Sequence, residues 1–485
     1  MTTLPRQPLF TDLYINGAWT KSKSGKTITD ICPITAMPYC EVAEGDAHDI
    51  DLAVKAAREA LDKGPWGTMS GAARGKLIWK LADELEARAE RITQLETIDN
   101  GKPVFESKID LMQTVAIFRY FAGWADKIAG ATIPISGPQF VYTRREPVGV
   151  VGAIIPWNFP MLMAAYKLGP ALACGNTVVL KPAEQTPLTA LEIADAAEKA
   201  GFPPGVLNVV NGFGPTAGRA LVDHPEVNKI AFTGSTEVGK DIAARAAATL
   251  KRVSLELGGK SANVVLADAN VDQAIRGALS GIFYGKGEVC AAGSRLIVSA
   301  KVHDQVLEGI VGKVARYAPS DPFNPKSRMG ALVSESQMHR VMHYIEKGIS
   351  ENATLVAGGK RAEGMPGYFV EPTIFDNVTN DMTIGREEIF GPVLAVMTFD
   401  EEEGAAQMAN ANPYGLAAAV YTRDIAKAHR LAAQIKAGTV WINCINLYDA
   451  AAPFGGYKSS GYGRDLGAAA LEQYTETKCV WVGLE

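Results

Sequence analysis

Cysteine is scarce in this chain and never clustered. Its 485 residues hold six cysteines, Cys32, Cys40, Cys174, Cys290, Cys444 and Cys479. None forms a C-x-x-C pair, so a zinc ribbon or disulfide scaffold is excluded. Histidine is as sparse: of six, only His339 and His343 stand four apart, without an H-E-x-x-H pattern, and no metal centre is expected. Neither sign of charge prevails, since 48 Lys+Arg against 53 Asp+Glu leave −5. No basic run stands clear of acidic neighbours, which excludes nucleic acid as a default partner. Met1 to Leu13 lacks a basic stretch followed by an apolar one, so no export signal is read. Together with the single cysteines this points to a reducing cytoplasm.

Long hydrophobic runs are missing but for one. Pro147 to Tyr166 carries no charge over 20 positions, the nominal length of a spanning helix. Pro147, Pro156, Pro160, Gly149, Gly152 and Asn158 interrupt it. They predict a buried strand, Val148 to Ile155, a turn at Pro156-Trp157-Asn158 and then a helix, with no membrane span.

Glycine is abundant, 48 residues, or about 10% against a usual ~7%. The hydrophobic share of 47% suffices for a large core. Length alone predicts about three domains. Leu13-Tyr14-Ile15 reads as a strand before an Asn16-Gly17 turn, and helix-face spacing runs over Asp49 to Asp62 and Ala72 to Asp99. Phe140-Val141-Tyr142 reads as an exposed strand on an arm. From Val148 onward apolar strands alternate with helices: Thr177 to Leu180, Leu207 to Val210, Ile230 to Phe232 and Val253 to Leu257. Thr186 is expected to cap a helix that starts at Pro187 and ends at Gly201. A Gly212/Gly214/Gly218 helix follows Leu207 to Val210. A second run spans Asn263 to Leu266, a helix from Val271, Leu296 to Val298, Leu394 to Met397, Ala417 to Tyr421 and Val440 to Ile442. The fold class is α/β, a doubly wound parallel sheet with a second α/β layer set.

Ligands bind beyond the carboxyl ends of parallel strands, and polar groups gather there. Gly234 and Gly239 open a helix after Phe232, and with Ser235 they can hold a pyrophosphate or merely make a tight turn. Lys181 and Glu184 can meet ribose hydroxyls or form a solvated pair. Cys290, amid Gly285, Gly287 and Gly293, is an accessible thiol or a small buried hydrophobe. Glu256, between Leu255 and Leu257, is a desolvated base with raised pKa or a structural carboxylate.

In combination these stretches resemble the NAD(P)-dependent aldehyde dehydrogenase superfamily. The matching segments are Pro156-Trp157-Asn158-Phe159-Pro160, Lys181-Pro182-Ala183-Glu184, Phe232-Thr233-Gly234-Ser235, Leu255-Glu256-Leu257-Gly258-Gly259-Lys260, Glu387-Glu388-Ile389-Phe390-Gly391-Pro392 and Pro453-Phe454-Gly455-Gly456-Tyr457-Lys458. The resemblance implies a Rossmann-like NAD-binding domain (1–124 and 148–258), a catalytic domain (259–458) and a small β oligomerisation element (125–147 and 459–485) that forms homodimers or homotetramers. It assigns the nucleophilic thiol to Cys290, the deacylation base to Glu256 and the oxyanion donor to Asn158. It gives Ile155, Pro156, Trp157, Lys181, Glu184, Gly234, Ser235, Gly239, Leu257, Glu388 and Phe390 to the cofactor. NAD is expected before NADP, because Glu184 would repel a 2′-phosphate. Phe159, Met163, Tyr166, Tyr284, Val289, Tyr448 and Phe454 would line the passage for an aldehyde, medium aliphatic or aromatic. A CoA-acylating reaction or a non-catalytic protein on this fold are the competing expectations; an intact Glu256 argues for water as acceptor. One stretch departs from the family: Gly285-Lys286-Gly287-Glu288 replaces its usual Asn-Gln-Gly-Gln. Lys286 nearby would lower the thiol pKa and Glu288 would raise it.

Overall fold

The computed structural model describes residues 7–484. Residues 1–6, where the segment read for an export signal begins, and residue 485 lie outside the described residues. Val150–Ile154, Thr177–Lys181 and Lys229–Thr233 are buried at every position. That is the burial of strands covered on both faces. They form the centre of an eight-stranded sheet, in the order Gly461–Tyr462, Arg252–Glu256, Lys229–Thr233, Val150–Ile154, Thr177–Lys181, Leu207–Val209, Leu13–Ile15, Ala18–Thr20. The five strands from Arg252–Glu256 to Leu207–Val209 run parallel. A seven-stranded sheet follows in the second half, with Thr373–Asp376, Val393–Phe399, Arg295–Ser299, Ala262–Val265, Ala417–Tyr421 and Thr439–Ile442 all parallel. Only its edge strand Thr354–Ala357 is antiparallel.

The charge-free run resolves as expected into the strand Val150–Ile154, a turn and the helix Pro160–Ala173. No helix among the described residues is long and apolar enough to cross a membrane. Phe140–Pro147 projects with Thr132–Ile133 on one side and Thr475–Val482 on the other, the latter paired along all eight positions.

Ala72 to Asp99 is helical as expected, in two helices, Gly71–Glu86 and Ala89–Asn100; two other local expectations are corrected. The break falls at Arg88, whose guanidinium bridges Glu84 and Asp195. Thr186 caps nothing: its hydroxyl has no partner. The helix Leu188–Ala200 instead starts against Asp99, whose Oδ2 accepts the Leu188 N–H at 3.0 Å. Gly201 ends that helix in the left-handed conformation, φ 91°. The Gly212/Gly214/Gly218 helix is one π turn, Gly214–Gly218, running into the short helix Arg219–Asp223.

Candidate active site

A cavity of about 620 Å³ opens where residues following the strands of the first sheet meet loops of the second. Asn158, Glu256 and Cys290 all line it. They arrive from three directions: the turn after Val150–Ile154, the last residue of Arg252–Glu256, and the loop before Arg295–Ser299.

Burial pushes the Cys290 thiol up to about 12, helped by the negative charge of Glu388 and Glu256, while the backbone N–H groups of Ala291 and Cys290 oppose the rise. The resting thiol is therefore protonated at neutral pH and needs a base to react. Glu256 is buried, and neither carboxylate oxygen has a hydrogen-bond partner. Its pKa lies well above the ordinary carboxylate range, first through burial and next through Asp465, with Lys167 and Arg464 opposing. A Cβ at Gly455 would sit 2.7 Å from Glu256 Oε1, so only glycine leaves that carboxylate its place. Asn158 donates one amide hydrogen to the Glu288 carbonyl at 2.9 Å; the other is left for a ligand. A thiol, a proton acceptor and an amide donor thus share one cavity, the set that nucleophilic addition to a carbonyl requires.

Most of the remaining candidate residues meet here too. Pro156, Trp157, Gly234, Ser235, Leu257, Glu388 and Phe390 line the cavity, as do Phe159, Met163, Tyr166, Tyr284, Val289, Tyr448 and Phe454. The Trp157 and Phe390 rings meet edge to face at 5.1 Å. Glu388 Oε1 accepts the Gly259 N–H at 2.9 Å. The Tyr448 ring packs against Phe454 at 5.6 Å and Phe159 against Tyr284 at 6.5 Å.

Ile155, Lys181, Glu184 and Gly239 are not in the cavity wall. Lys181 ends the neighbouring strand, paired with Glu184 at 3.2 Å, and Ile155 donates its N–H to the Lys181 carbonyl. Gly239 lies within the helix Thr236–Ala246, where a Cβ would meet Leu257 Cδ2 at 2.5 Å. Its role in the geometry is to seat that helix. The Ser235 hydroxyl caps it by accepting the Val238 N–H, and the positive helix end so formed borders the cavity. The Thr233 hydroxyl, also in the wall, is buried without a partner.

Two contributors escaped the sequence reading. Asp465 lines the cavity and pairs at 2.6 Å with Lys167, both fully buried. The signal was there in part: Lys167 is the first charge after the uncharged run. The Lys286 and Glu288 readings are corrected. Lys286 Nζ turns to Asn100 and to Glu288 Oε2, 2.9 Å away. The pair balances its own charge and leaves the thiol to burial, Glu388 and Glu256.

Fold and site together define a class: a two-sheet α/β protein with a buried thiol and a buried carboxyl group facing one cavity beyond the ends of parallel strands. The comparisons narrow it. The family model described as the aldehyde dehydrogenase family matches residues 19–480. Human mitochondrial aldehyde dehydrogenase is 50% identical over 473 residues, covering 97% of this chain and 91% of that protein. An aldehyde dehydrogenase of Bacillus cereus solved as an NAD+ complex superposes with TM-score 0.97 at 50% identity, covering 99% and 98% of the two chains. An indole-3-acetaldehyde dehydrogenase of P. syringae, solved with NAD+ and IAA, follows at 45% identity and TM-score 0.96, covering 98% and 97%. The chain belongs to the aldehyde dehydrogenase family.

Proposed function

We propose that this protein oxidises an aldehyde to the carboxylic acid with NAD, through a thioester on Cys290. The observation that carries the reading is the convergence of Cys290, Glu256 and the free amide hydrogen of Asn158 on one cavity. Cys290 Sγ adds to the aldehyde carbon and its proton passes to a base, with Glu256 at hand; the resulting oxyanion accepts from Asn158 Nδ2. Bound NAD supplies the hydride acceptor, leaving an acyl group on sulfur. Once the thiol proton has passed on to solvent, the Glu256 carboxylate takes a proton from water, hydroxide adds to the thioester carbon, and the acid leaves as the proton returns to sulfur.

The residues present fit NAD. The N-terminus of Thr236–Ala246 suits a pyrophosphate, the unpartnered Thr233 hydroxyl borders it, and Glu388 and Phe390 would hold the nicotinamide riboside. Glu184, 28% exposed beside Lys181, suits a free 2′-hydroxyl better than a phosphate. Medium aliphatic or aromatic aldehydes are the favoured substrates. The wall is aromatic, and its arginine, Arg340, is spent on the Glu388 and Ile389 carbonyls. Absorbance at the NADH band over an aldehyde panel, with NAD and with NADP, tests the reading. Higher kcat/KM for such aldehydes than for succinic semialdehyde is expected, as is preference for NAD; succinic semialdehyde as best substrate overturns the specificity.

The NAD-binding domain would comprise 1–124 and 148–258, the catalytic domain 259–458 and the oligomerisation element 125–147 and 459–485, and the free cysteines fit a reducing cytoplasm. Exposed Phe140, Trp481 and Val482 on the three-stranded sheet support assembly into a homodimer or homotetramer. Sedimentation of a monomer at micromolar concentration would overturn it.

A further inference from the structure

The segment that departs from the family's usual spelling holds a buried ion pair used neither as nucleophile nor as base. Lys286 and Glu288 are each 1% exposed. Lys286 Nζ donates to the Asn100 carbonyl at 2.9 Å and to Asn100 Oδ1 at 2.7 Å. The second bond decides which way the Asn100 amide faces. An ammonium only donates, so the amide oxygen must point to it and Nδ2 away. Asn100 Nδ2 then donates to the Trp157 carbonyl at 2.8 Å and approaches the Asn158 carbonyl at 3.4 Å. From the other side, the Glu288 carbonyl accepts Asn158 Nδ2 at 2.9 Å, and Glu288 Oε1 accepts the Val333 N–H at 3.1 Å. The ion pair of 2.9 Å between Lys286 and Glu288 closes the ring of contacts.

The backbone shows the same tie. Lys286 sits at φ 61°, a left-handed conformation that side chains other than glycine's rarely adopt, directly after Gly285 at φ 58°. Gly285 donates its N–H to buried Glu106 Oε1 at 3.2 Å. The loop carrying the thiol is thereby held against the C-terminal end of Ala89–Asn100, which in turn holds the turn carrying Asn158.

We propose that Lys286, with Glu288, is a positioning residue for the acylation step. It orients Asn100, and through it the Trp157–Asn158 turn, so that the Asn158 amide faces the carbonyl oxygen of the aldehyde that Cys290 attacks. This rests on the reading of Asn158 as oxyanion donor given above.

Rapid mixing of the full-length enzyme with NAD and aldehyde reads the acylation step as a burst of NADH. Lys286→Met keeps an unbranched side chain, one atom shorter, and removes the donor. Its burst rate is expected to fall about 30-fold or more, since a misplacement near 1 Å can cost ~100-fold. KM for NAD should move less than about twofold, a split that general loosening of the fold would not give. Lys286→Gln combined with Glu288→Gln replaces the ion pair by neutral groups and keeps an amide donor, one bond shorter, on the side of Asn100 Oδ1; it should recover part of the Lys286→Met loss. A burst rate for Lys286→Met within about threefold of wild type overturns the proposal, as does a loss explained wholly by NAD affinity. If Lys286→Met does not fold, Asn100→Ala in the double-Gln background carries the test: a slow burst supports the tie and an unchanged one refutes it. A wild type that gives no burst with any aldehyde defeats the proposed function itself; a bursting wild type with an indifferent variant defeats only the positioning role.

Discussion

Cys290→Ala is expected to abolish NADH formation from every aldehyde, by about 10,000-fold or more, while NAD binding is retained. The magnitude follows from what is removed. The proposed pathway runs through a covalent bond to sulfur, and losing the nucleophile closes the whole path instead of weakening one contact. The substitution is also gentle. It deletes one sulfur atom that faces a cavity of about 620 Å³, and alanine keeps the backbone N–H groups that point at this position. Fluorescence titration with NADH should give a Kd within a few-fold of wild type, and the folded fraction should be unchanged. NADH production within tenfold of wild type would remove Cys290 from the mechanism.

The parts of this site that could be read from the chain are those whose cause is local. Val150–Ile154 is apolar throughout because it is covered on both faces, and the turn after it follows from Pro156 and Asn158 within a few residues. Gly201 ends its helix because only a left-handed residue fits there. What was hidden depends on partners far along the chain. Arg88, at the break between two helices, reaches Asp195, Asp99 rather than Thr186 serves Leu188, and Lys286 bonds to Asn100. No periodicity encodes these, since each is a polar group satisfied across the fold. The thiol's surroundings illustrate the limit. Charge type at positions 286 and 288 was legible, but direction was not, and direction decides whether a charge acts on sulfur or on a neighbouring turn.

Glu256→Gln should separate the two halves of the reaction. Glutamine matches the shape of glutamate but accepts no proton, so acylation should still yield a burst of about one NADH per site when another route takes the thiol proton. Thioester hydrolysis should then slow by about 100- to 10,000-fold, the usual worth of a positioned base. The pH profile gives an independent check with a fixed sign. Burial and Asp465 raise the Glu256 pKa well above the carboxylate range, so the group holds its proton toward acid and can accept one only after losing it. Wild-type turnover should therefore climb as pH rises out of the acid range, and the part of that rise due to Glu256 should be lost in the variant. Stability runs the other way. A carboxyl whose folded pKa exceeds its unfolded one stabilises most below the unfolded value, and the contribution is lost as pH rises through the folded one. The variant, with no charge to bury, should hold its Tm at alkaline pH at least as well as wild type. Unchanged steady-state turnover in Glu256→Gln would assign the base elsewhere. Lost turnover with neither burst nor thioester would mean that Glu256 is indispensable earlier, when the thiol gives up its proton.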